Sequence, residues 1–361
     1  MIKKRSPLTE AVPLAENTVL RSFLSIILAV ICASLFILIM GKSPVLAFSS
    51  LVRGAFGNFR AFANTINKAV PLIFTGLAAA LAFKSGLMNI GIEGQMYIGA
   101  LCSVFIALKI PVGTPALLAM VLCILGGMTG GACWGALIGF LKTKFKIHEV
   151  IVAILLNYLA IHFVSYIVNY PLQSAAGLPE TDMIPQRFRF PILAARTQFS
   201  ASAFLALAGV IASYLLIYKT ITGYKIRAVG SNASAAEAGG INVPVVSVLT
   251  MGISGILGGL AGTAEVLGTY GKLFEGFSSN AGFTGLAVAV LAGNNPFVVI
   301  ITGLLFGVMD SGARQMSIRA GLSADMVIVV QGLVIFFVAT PEIFRFLKKI
   351  SFNRKQGAVG C

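Results

Sequence analysis

The sequence has few charged residues: Asp, Glu, Lys and Arg make up 11% of its 361 residues, whereas 57% are hydrophobic. A soluble domain carries about a quarter charged residues, so this scarcity excludes an ordinary soluble protein. Apolar runs of membrane-spanning length recur along the whole chain. These runs are continuous rather than alternating, which excludes a β-barrel and predicts an all-α polytopic membrane protein.

The sequence also lacks the motifs of several enzyme classes. No G-x-x-x-x-G-K-[ST] occurs, so the chain has no P-loop for ATP. The two histidines, His148 and His162, do not form an H-E-x-x-H zinc motif, no G-x-S-x-G is present, and the five cysteines include no C-x-x-C. We therefore predict no catalytic residue, no metal site and no cofactor bound by this chain.

Acidic residues in the apolar runs are sparse. Glu93, Asp310 and Asp325 are scattered and too few to predict a proton relay. An ion-coupled secondary carrier therefore stays an alternative that no motif supports.

The net charge of +15 reflects where basic residues lie relative to the apolar runs. They flank these runs and form no basic helix with interleaved aromatic residues, so lipid is predicted as a partner and nucleic acid is not. The strongest clusters are Lys142, Lys144 and Lys146, and the tail that begins at Arg345. Because Lys and Arg concentrate on the cytoplasmic side of a membrane protein, both termini are predicted to be cytoplasmic.

Ten crossings are predicted from run length, Gly and Pro breaks, and charge. The apolar runs cover roughly 22–41, 63–83, 86–108, 115–140, 149–169, 199–218, 244–263, 282–313 and 323–341, and the run at 282–313 counts twice because "GNNP" breaks it. The segment "VLAFSSLVRGAFGNF" is predicted to be an amphipathic or re-entrant helix. The predicted divisions are an N-terminal cytoplasmic tail (1–21), a membrane domain (22–345) with an external loop (170–198) and a cytoplasmic loop (220–243), and a basic cytoplasmic tail (346–361).

Glycine spacing predicts where helices approach closely. Gly127, Gly131, Gly135 and Gly139 recur every four residues, and Gly255 with Gly259 and Gly258 with Gly262 repeat the pattern later in the chain. Stripes of this kind let neighbouring backbones touch in a membrane, so these are predicted packing faces.

The stretch "MNIGIEGQM" at 88–96 is polar within an apolar run. A carboxylate in hydrocarbon costs at least a few kcal/mol, so Glu93 is predicted to face protein or water and to bond either backbone or Asn89, which is four residues away. Irregular backbone at membrane depth is tolerated where it is buried in protein or lines a cavity.

Four stretches together resemble one family: "GLMNIGIEGQ", "HEVIVAILLNYLA", "IRAVGSNASAAEAGGI" and "SGILGGLAG". In this order and spacing they resemble the transmembrane permease subunit of bacterial ABC importers for nucleosides and simple sugars, in the branch that works with a lipoprotein of the basic membrane protein type. The resemblance covers roughly residues 20–345, and the paired H-E-V-I and L-N-Y favour the nucleoside branch.

The resemblance implies a fold and a set of partners. The fold is that of type II importer permeases, with two inverted five-helix halves around a central path; the Gly-broken "GLMNIGIEGQ" and "GFTGLAVAVLAG" lie at comparable places in the halves. The implied partners are a separate ATPase that binds ATP and Mg²⁺, an extracytoplasmic binding lipoprotein and a second permease chain, in the bacterial inner membrane. The chain itself would not be an enzyme.

The resemblance and the chemistry of a neutral nucleoside together suggest site residues. A path for such a solute needs a mostly apolar surface with a few polar groups, and the candidates are Asn89, Glu93, Gln95, Asn157, Tyr158, His162, Phe283 and Thr284. For Asn157 an interhelical hydrogen bond is an equal alternative. Thr284 stands where the family has an acidic residue, which suits an uncharged ligand.

The segment 230–241 is expected to form a short helix that docks into the ATPase. The candidates for this coupling are Gly230, Asn232, Ala235, Ala236, Glu237 and Gly239. Glu237 and Gly239 depart from the family pattern, which usually has an aromatic residue or Lys beside its A-G-I.

Alternatives to nucleoside import are a permease for a simple sugar or a riboflavin-like ligand, an ion-coupled carrier, and a structural membrane scaffold.

Overall fold

The computed structural model of the chain describes residues 27–339. Within this part the protein is helical and contains no β-strand, only the isolated bridges Glu180–Phe274 and Ile192–Ser200. The helices are α1 (Ile27–Ile39), α2 (Pro44–Phe56), α3 (Phe59–Lys84), α4 (Ile92–Lys109), α5 (Ala116–Phe145), α6 (Glu149–Asn169), α7 (Ser202–Lys219), α8 (Ile221–Ser231), α9 (Ala233–Ala238), α10 (Val243–Glu265), α11 (Ala281–Leu291), α12 (Pro296–Ala320) and α13 (Ala324–Ala339). The predicted tails 1–21 and 346–361 lie outside the described residues.

Seven helices in the described part are long and apolar enough to cross a membrane: α3, α4, α5, α6, α7, α10 with its π-helical extension to Tyr270, and α12. The pair α1 and α2 passes the same test together and is bent by 118° at its break. Helix α11 is shorter, and it ends before the predicted break at 293–296. The multi-pass helical class is therefore confirmed.

The described part of the chain forms two compact units, residues 27–54 with 312–339 and residues 55–311. In the first unit, a hydrophobic cluster joins α1 and α2 to the end of α12 and to α13, and it consists of Ala33, Ile37, Ala47, Met316, Ala320, Leu322, Val327 and Val330.

The second unit is organised around α5 and α10, whose glycines face one another. A Cβ on Gly131 would lie 2.8 Å from Gly259 Cα, and one on Gly135 would lie 3.1 Å from Gly255 Cα. Because no side chain intervenes, the two backbones touch. The predicted packing faces are confirmed here.

Three boundaries differ from the sequence prediction. Helix α4 begins at Ile92 rather than near residue 86, so Met88–Gly91 precede it as irregular backbone. Helix α12 continues to Ala320, beyond the predicted end at 313. The predicted loop 220–243 contains α8 as well as α9, because Thr220 caps α8 by accepting a hydrogen bond from the Gly223 N–H (3.0 Å).

Candidate functional site

The irregular start of α4 is completed by an amide side chain from α6. Asn157 Oδ1 accepts a hydrogen bond from the Gly94 N–H (2.8 Å), and Asn157 Nδ2 donates to the Ile90 carbonyl (2.9 Å). These backbone groups lie where a continuous helix would have bonded them internally, and buried polar groups need partners. Asn157 is only 2% exposed, so its amide acts as an interhelical bridge.

A second amide stabilises the turn before α4. Asn89 Oδ1 accepts from the Gly91 N–H (3.0 Å), and Asn89 Nδ2 donates to Ser254 Oγ on α10 (2.8 Å) and to Gln95 Oε1 (3.2 Å). Ser254 in turn donates to the Ala78 carbonyl on α3 (2.7 Å). Asn89 and Gln95 are fully buried, so this network joins three helices without reaching a surface.

Glu93 joins α4 to the start of α11. One carboxylate oxygen accepts from Ser278 Oγ, and the other accepts from the Gly282 N–H (2.7 Å). The N-terminus of a helix favours a negative charge because its first N–H groups are unpaired. A Cβ on Gly282 would lie 2.5 Å from Glu93 Cα, so this contact requires glycine. Glu93 is 1% exposed and, of the two expected partners, it bonds backbone, at Gly282, and not Asn89.

We expect Glu93→Ala to lower the thermal stability of the purified protein more than Glu93→Gln does. Gln keeps the shape and one acceptor oxygen, whereas Ala leaves the Gly282 N–H unpaired at a cost of about 1–3 kcal/mol. Thermal unfolding in detergent measures the difference. Equal stability of both variants together with lost solute uptake would instead favour direct contact with the solute.

The other four predicted path residues lie at the protein surface. Tyr158 is 60% exposed, His162 is exposed one helical turn later on α6, and Phe283 is 39% exposed on α11. Thr284 is half-buried and donates to the Asn280 carbonyl (3.1 Å). The eight candidates therefore form a buried group of four around the start of α4 and a surface group of four.

Sequence reasoning missed several polar residues that the structure brings together. Ser254 and Ser278 complete the networks above, and a lone serine in an apolar run gives no signal for this role. Lys68, a charge within the predicted span 63–83, and Glu265, just after the predicted span 244–263, were also missed. Lys68 Nζ lies 3.5 Å from Asp310 Oδ2, so Asp310 is paired.

The predicted coupling residues lie on α8, α9 and the turn that follows. Asn232 caps α9 by accepting from the Ala235 N–H (3.0 Å). Ala236 is 7% exposed and packs in a cluster with Ile226, Val229 and Val246. Ala236 thus holds α9 onto α8 and α10.

Three other coupling candidates, Ala235, Glu237 and Gly239, are exposed. Gly230 is close to the end of α3, since a Cβ there would lie 2.9 Å from the Lys84 carbonyl carbon. A groove of about 520 Å³ adjoins this contact, and its lining includes Ser85, Lys142, Asn232 and Pro244. The end of α8 therefore touches the turn that leads into the irregular start of α4.

The sequence matches known proteins over most of its length. A profile of the family described as branched-chain amino acid transport system / permease component matches residues 61–339. The chain is 34% identical to the guanosine ABC transporter permease protein NupP of Bacillus subtilis, over 93% of this chain and 96% of that protein. It is 32% identical to the glucose ABC transporter permease protein TsgB13 of Haloferax volcanii (80% and 78%) and 31% identical to the nucleoside ABC transporter permease protein NupB of Lactococcus lactis (91% and 93%).

Proposed function

Because the chain belongs to the branched-chain amino acid transport system / permease component family, it is a permease subunit of an ABC importer, and we propose that its solute is a nucleoside. The observation that carries this proposal is the identity of 34% and 31% to a guanosine and a nucleoside permease, each over more than nine-tenths of this chain. A simple sugar is the second candidate, because a glucose permease is 32% identical over a shorter share.

The proposal includes an assembly in the bacterial inner membrane. The chain crosses the membrane ten times in two inverted halves with both termini cytoplasmic, and it pairs with a second permease chain. A binding lipoprotein delivers the solute outside, and a separate ATPase hydrolyses ATP inside. The seven long apolar helices and the bent pair α1–α2 support the crossings. The orientation is supported by three lysines at and just after the end of α5: Lys142, Lys144 and Lys146. Lys142 lines the groove that also contains the end of α8.

We assign different roles to the two groups of path candidates. The buried group, Asn89, Glu93, Gln95 and Asn157, forms a rigid frame because its polar atoms bond protein groups. The surface group consists of Tyr158, His162, Phe283 and Thr284, and it contacts the solute. Tyr158 directly follows Asn157, and Phe283 directly follows Gly282, so each exposed ring is adjacent in sequence to a group that bonds α4. An aromatic ring beside a rigid frame suits a base that must stack.

The test of this path is uptake of radiolabelled guanosine by vesicles that contain the permease, its ATPase and the lipoprotein. Phe283→Ala is expected to reduce uptake about tenfold, because stacking of a base on an aromatic ring contributes about 1–3 kcal/mol. Phe204→Ala on α7, where Phe204 is 61% exposed, is the matched control and should leave uptake unchanged. Normal guanosine uptake by the Phe283→Ala variant would show that the solute path does not include Phe283. Uptake of glucose but not guanosine by the unaltered protein would favour the sugar candidate.

A further inference from the structure

Glu265 is a buried carboxylate with an unsatisfied oxygen. It is the last residue of α10 and is 5% exposed, and its Oε2 atom is buried without a hydrogen-bond partner. A buried charge that lacks a partner costs several kcal/mol, so a retained one calls for an explanation such as a water, an ion or a ligand. The helix changes at this residue into the π-helical turn Val266–Tyr270, a distortion that is frequent at functional sites.

The charges near Glu265 come from two other helices. Lys68 on α3 attracts its carboxylate, and Asp310 on α12 repels it. Lys68 and Asp310 form an ion pair (3.5 Å), and their side chains are 32% and 53% exposed. The Lys68 ammonium group is thus paired with Asp310, and it attracts the Glu265 carboxylate without forming an ion pair with it. These two side chains are partly exposed, whereas Glu265 is buried.

A chain of hydrogen bonds engages the polar groups that neighbour Glu265. Ser200 Oγ donates to Asn67 Oδ1 (3.4 Å), and Asn67 Nδ2 donates to Thr269 Oγ1 (2.9 Å). Thr269 lies one helical turn after Glu265, in the π-helical segment, and its hydroxyl favours the charged form of the Glu265 carboxylate. Ser200, Asn67 and Thr269 are thus engaged with one another, and Glu265 Oε2 stays a buried acceptor without a partner.

The cluster lies at the end of the helices that the segment 170–198 covers. The Phe190 N–H donates to the Leu267 carbonyl (3.0 Å), and the Ile184 N–H donates to the Gly271 carbonyl (2.8 Å). Helix α10 starts beside α8 and α9 and ends here, so Glu265 lies at the opposite end from the coupling residues. With the proposed orientation, this is the end at which the solute arrives.

We propose that Glu265 and Lys68 form a contact for the sugar hydroxyls of the solute at the entrance of the path, an assignment that rests on the proposed nucleoside import. A hydroxyl group both donates and accepts a hydrogen bond. Glu265 Oε2 offers an acceptor, and Lys68 offers a donor beside it. Carboxylates bind ribose hydroxyls in the same way in dinucleotide-binding proteins. A solute without these hydroxyls leaves Oε2 unpaired and enters more slowly.

The experiment compares guanosine with 2′,3′-dideoxyguanosine in proteoliposomes that hold the complete importer. Both are supplied at concentrations that saturate the isolated lipoprotein, so that the ratio of maximal uptake rates reports on the permease. The unaltered protein should transport guanosine at least tenfold faster. Glu265→Gln, which keeps the shape but not the charge, should reduce guanosine transport about tenfold and leave the dideoxy compound within twofold. Lys68→Gln should also lower the ratio of the guanosine rate to the 2′,3′-dideoxyguanosine rate.

Glu180→Gln is the matched control. Glu180 is a carboxylate at the same end, paired with Lys272 (2.5 Å), and its replacement should leave the ratio unchanged. An equal loss of both rates in properly folded Glu265→Gln and Lys68→Gln proteins would assign the cluster a structural role and overturn the proposal. The proposal would also be overturned if neither variant changed the ratio of the guanosine rate to the 2′,3′-dideoxyguanosine rate. If the unaltered protein transports no guanosine, the proposed function itself fails, and this assignment fails with it.

Discussion

Gly255→Ala is expected to destabilise the protein severely. The added methyl group would lie 2.8 Å from the Gly131 carbonyl carbon and 3.1 Å from Ala132 Cα, both of them backbone atoms of α5. Backbone cannot rotate away as a side chain can, so α5 and α10 must separate along their whole contact. Overpacking costs about 1–3 kcal/mol in ordinary cores. Because this clash involves backbone between α5 and α10, we expect the loss of unfolding free energy to equal or exceed the upper end of that range.

Gly252→Ala supplies the matched control on the same helix, three residues earlier. A Cβ there would lie 3.6 Å from Ala136 Cβ, which is ordinary van der Waals contact. Alanine also favours a helix over glycine by about 1 kcal/mol, so this variant should be as stable as the unaltered protein or slightly more so. Thermal unfolding in detergent and the yield of monodisperse protein measure both changes. Similar behaviour of the two variants would show that the close approach of α5 and α10 does not govern stability.

The spacing of glycine made this helix contact predictable. Gly131 and Gly255 are recognisable because a four-residue repeat places a bare stripe on one helix face, and a bare stripe has few other uses within a membrane. Apolar run length and charge predicted the helices for the same reason: they report directly on burial in lipid.

The start of α4 was not predictable from the same signals. The sequence marked the stretch as polar and broken by glycine, but the residue at which α4 begins depends on contacts outside the segment. Asn157, which follows more than 60 residues later, replaces the missing backbone partners of Ile90 and Gly94. Sequence reasoning identified Asn157 as an amide that needs a partner but could not decide between a solute and a neighbouring helix.

The sequence also did not predict which side chains of α9 pack against the rest of the protein. Four alanines among the six residues of α9 indicate a small, closely packed helix, but they do not reveal which face is occupied by the protein itself. In the structure Ala236 faces the cluster of Ile226, Val229 and Val246, and Ala235 is exposed. A test of docking must therefore alter Ala235, since a large residue at Ala236 would displace α9 before any partner bound.

Ala235→Trp is expected to abolish coupling to the ATPase while the permease stays folded. If α9 docks into a cleft of the ATPase, as the sequence predicts, an indole in place of a methyl group blocks the close approach of α9 to that cleft. Because Ala235 is exposed, the change disturbs no internal contact and should alter thermal stability by less than about 0.5 kcal/mol. The ATPase should no longer co-purify, and lipoprotein-stimulated ATP hydrolysis in proteoliposomes should fall at least tenfold.

Ala176→Trp provides the control for this result, because Ala176 is also an exposed alanine but belongs to the segment 170–198. The proposed orientation places Ala176 outside the cell, so this variant should retain the ATPase on purification.

The contact between Gly230 and the end of α3 connects α8 to the turn before α4, and this contact would carry movement of α9 towards the frame around Asn89 and Glu93. Full stimulation by Ala235→Trp would place the ATPase contact elsewhere and would remove this route from the mechanism.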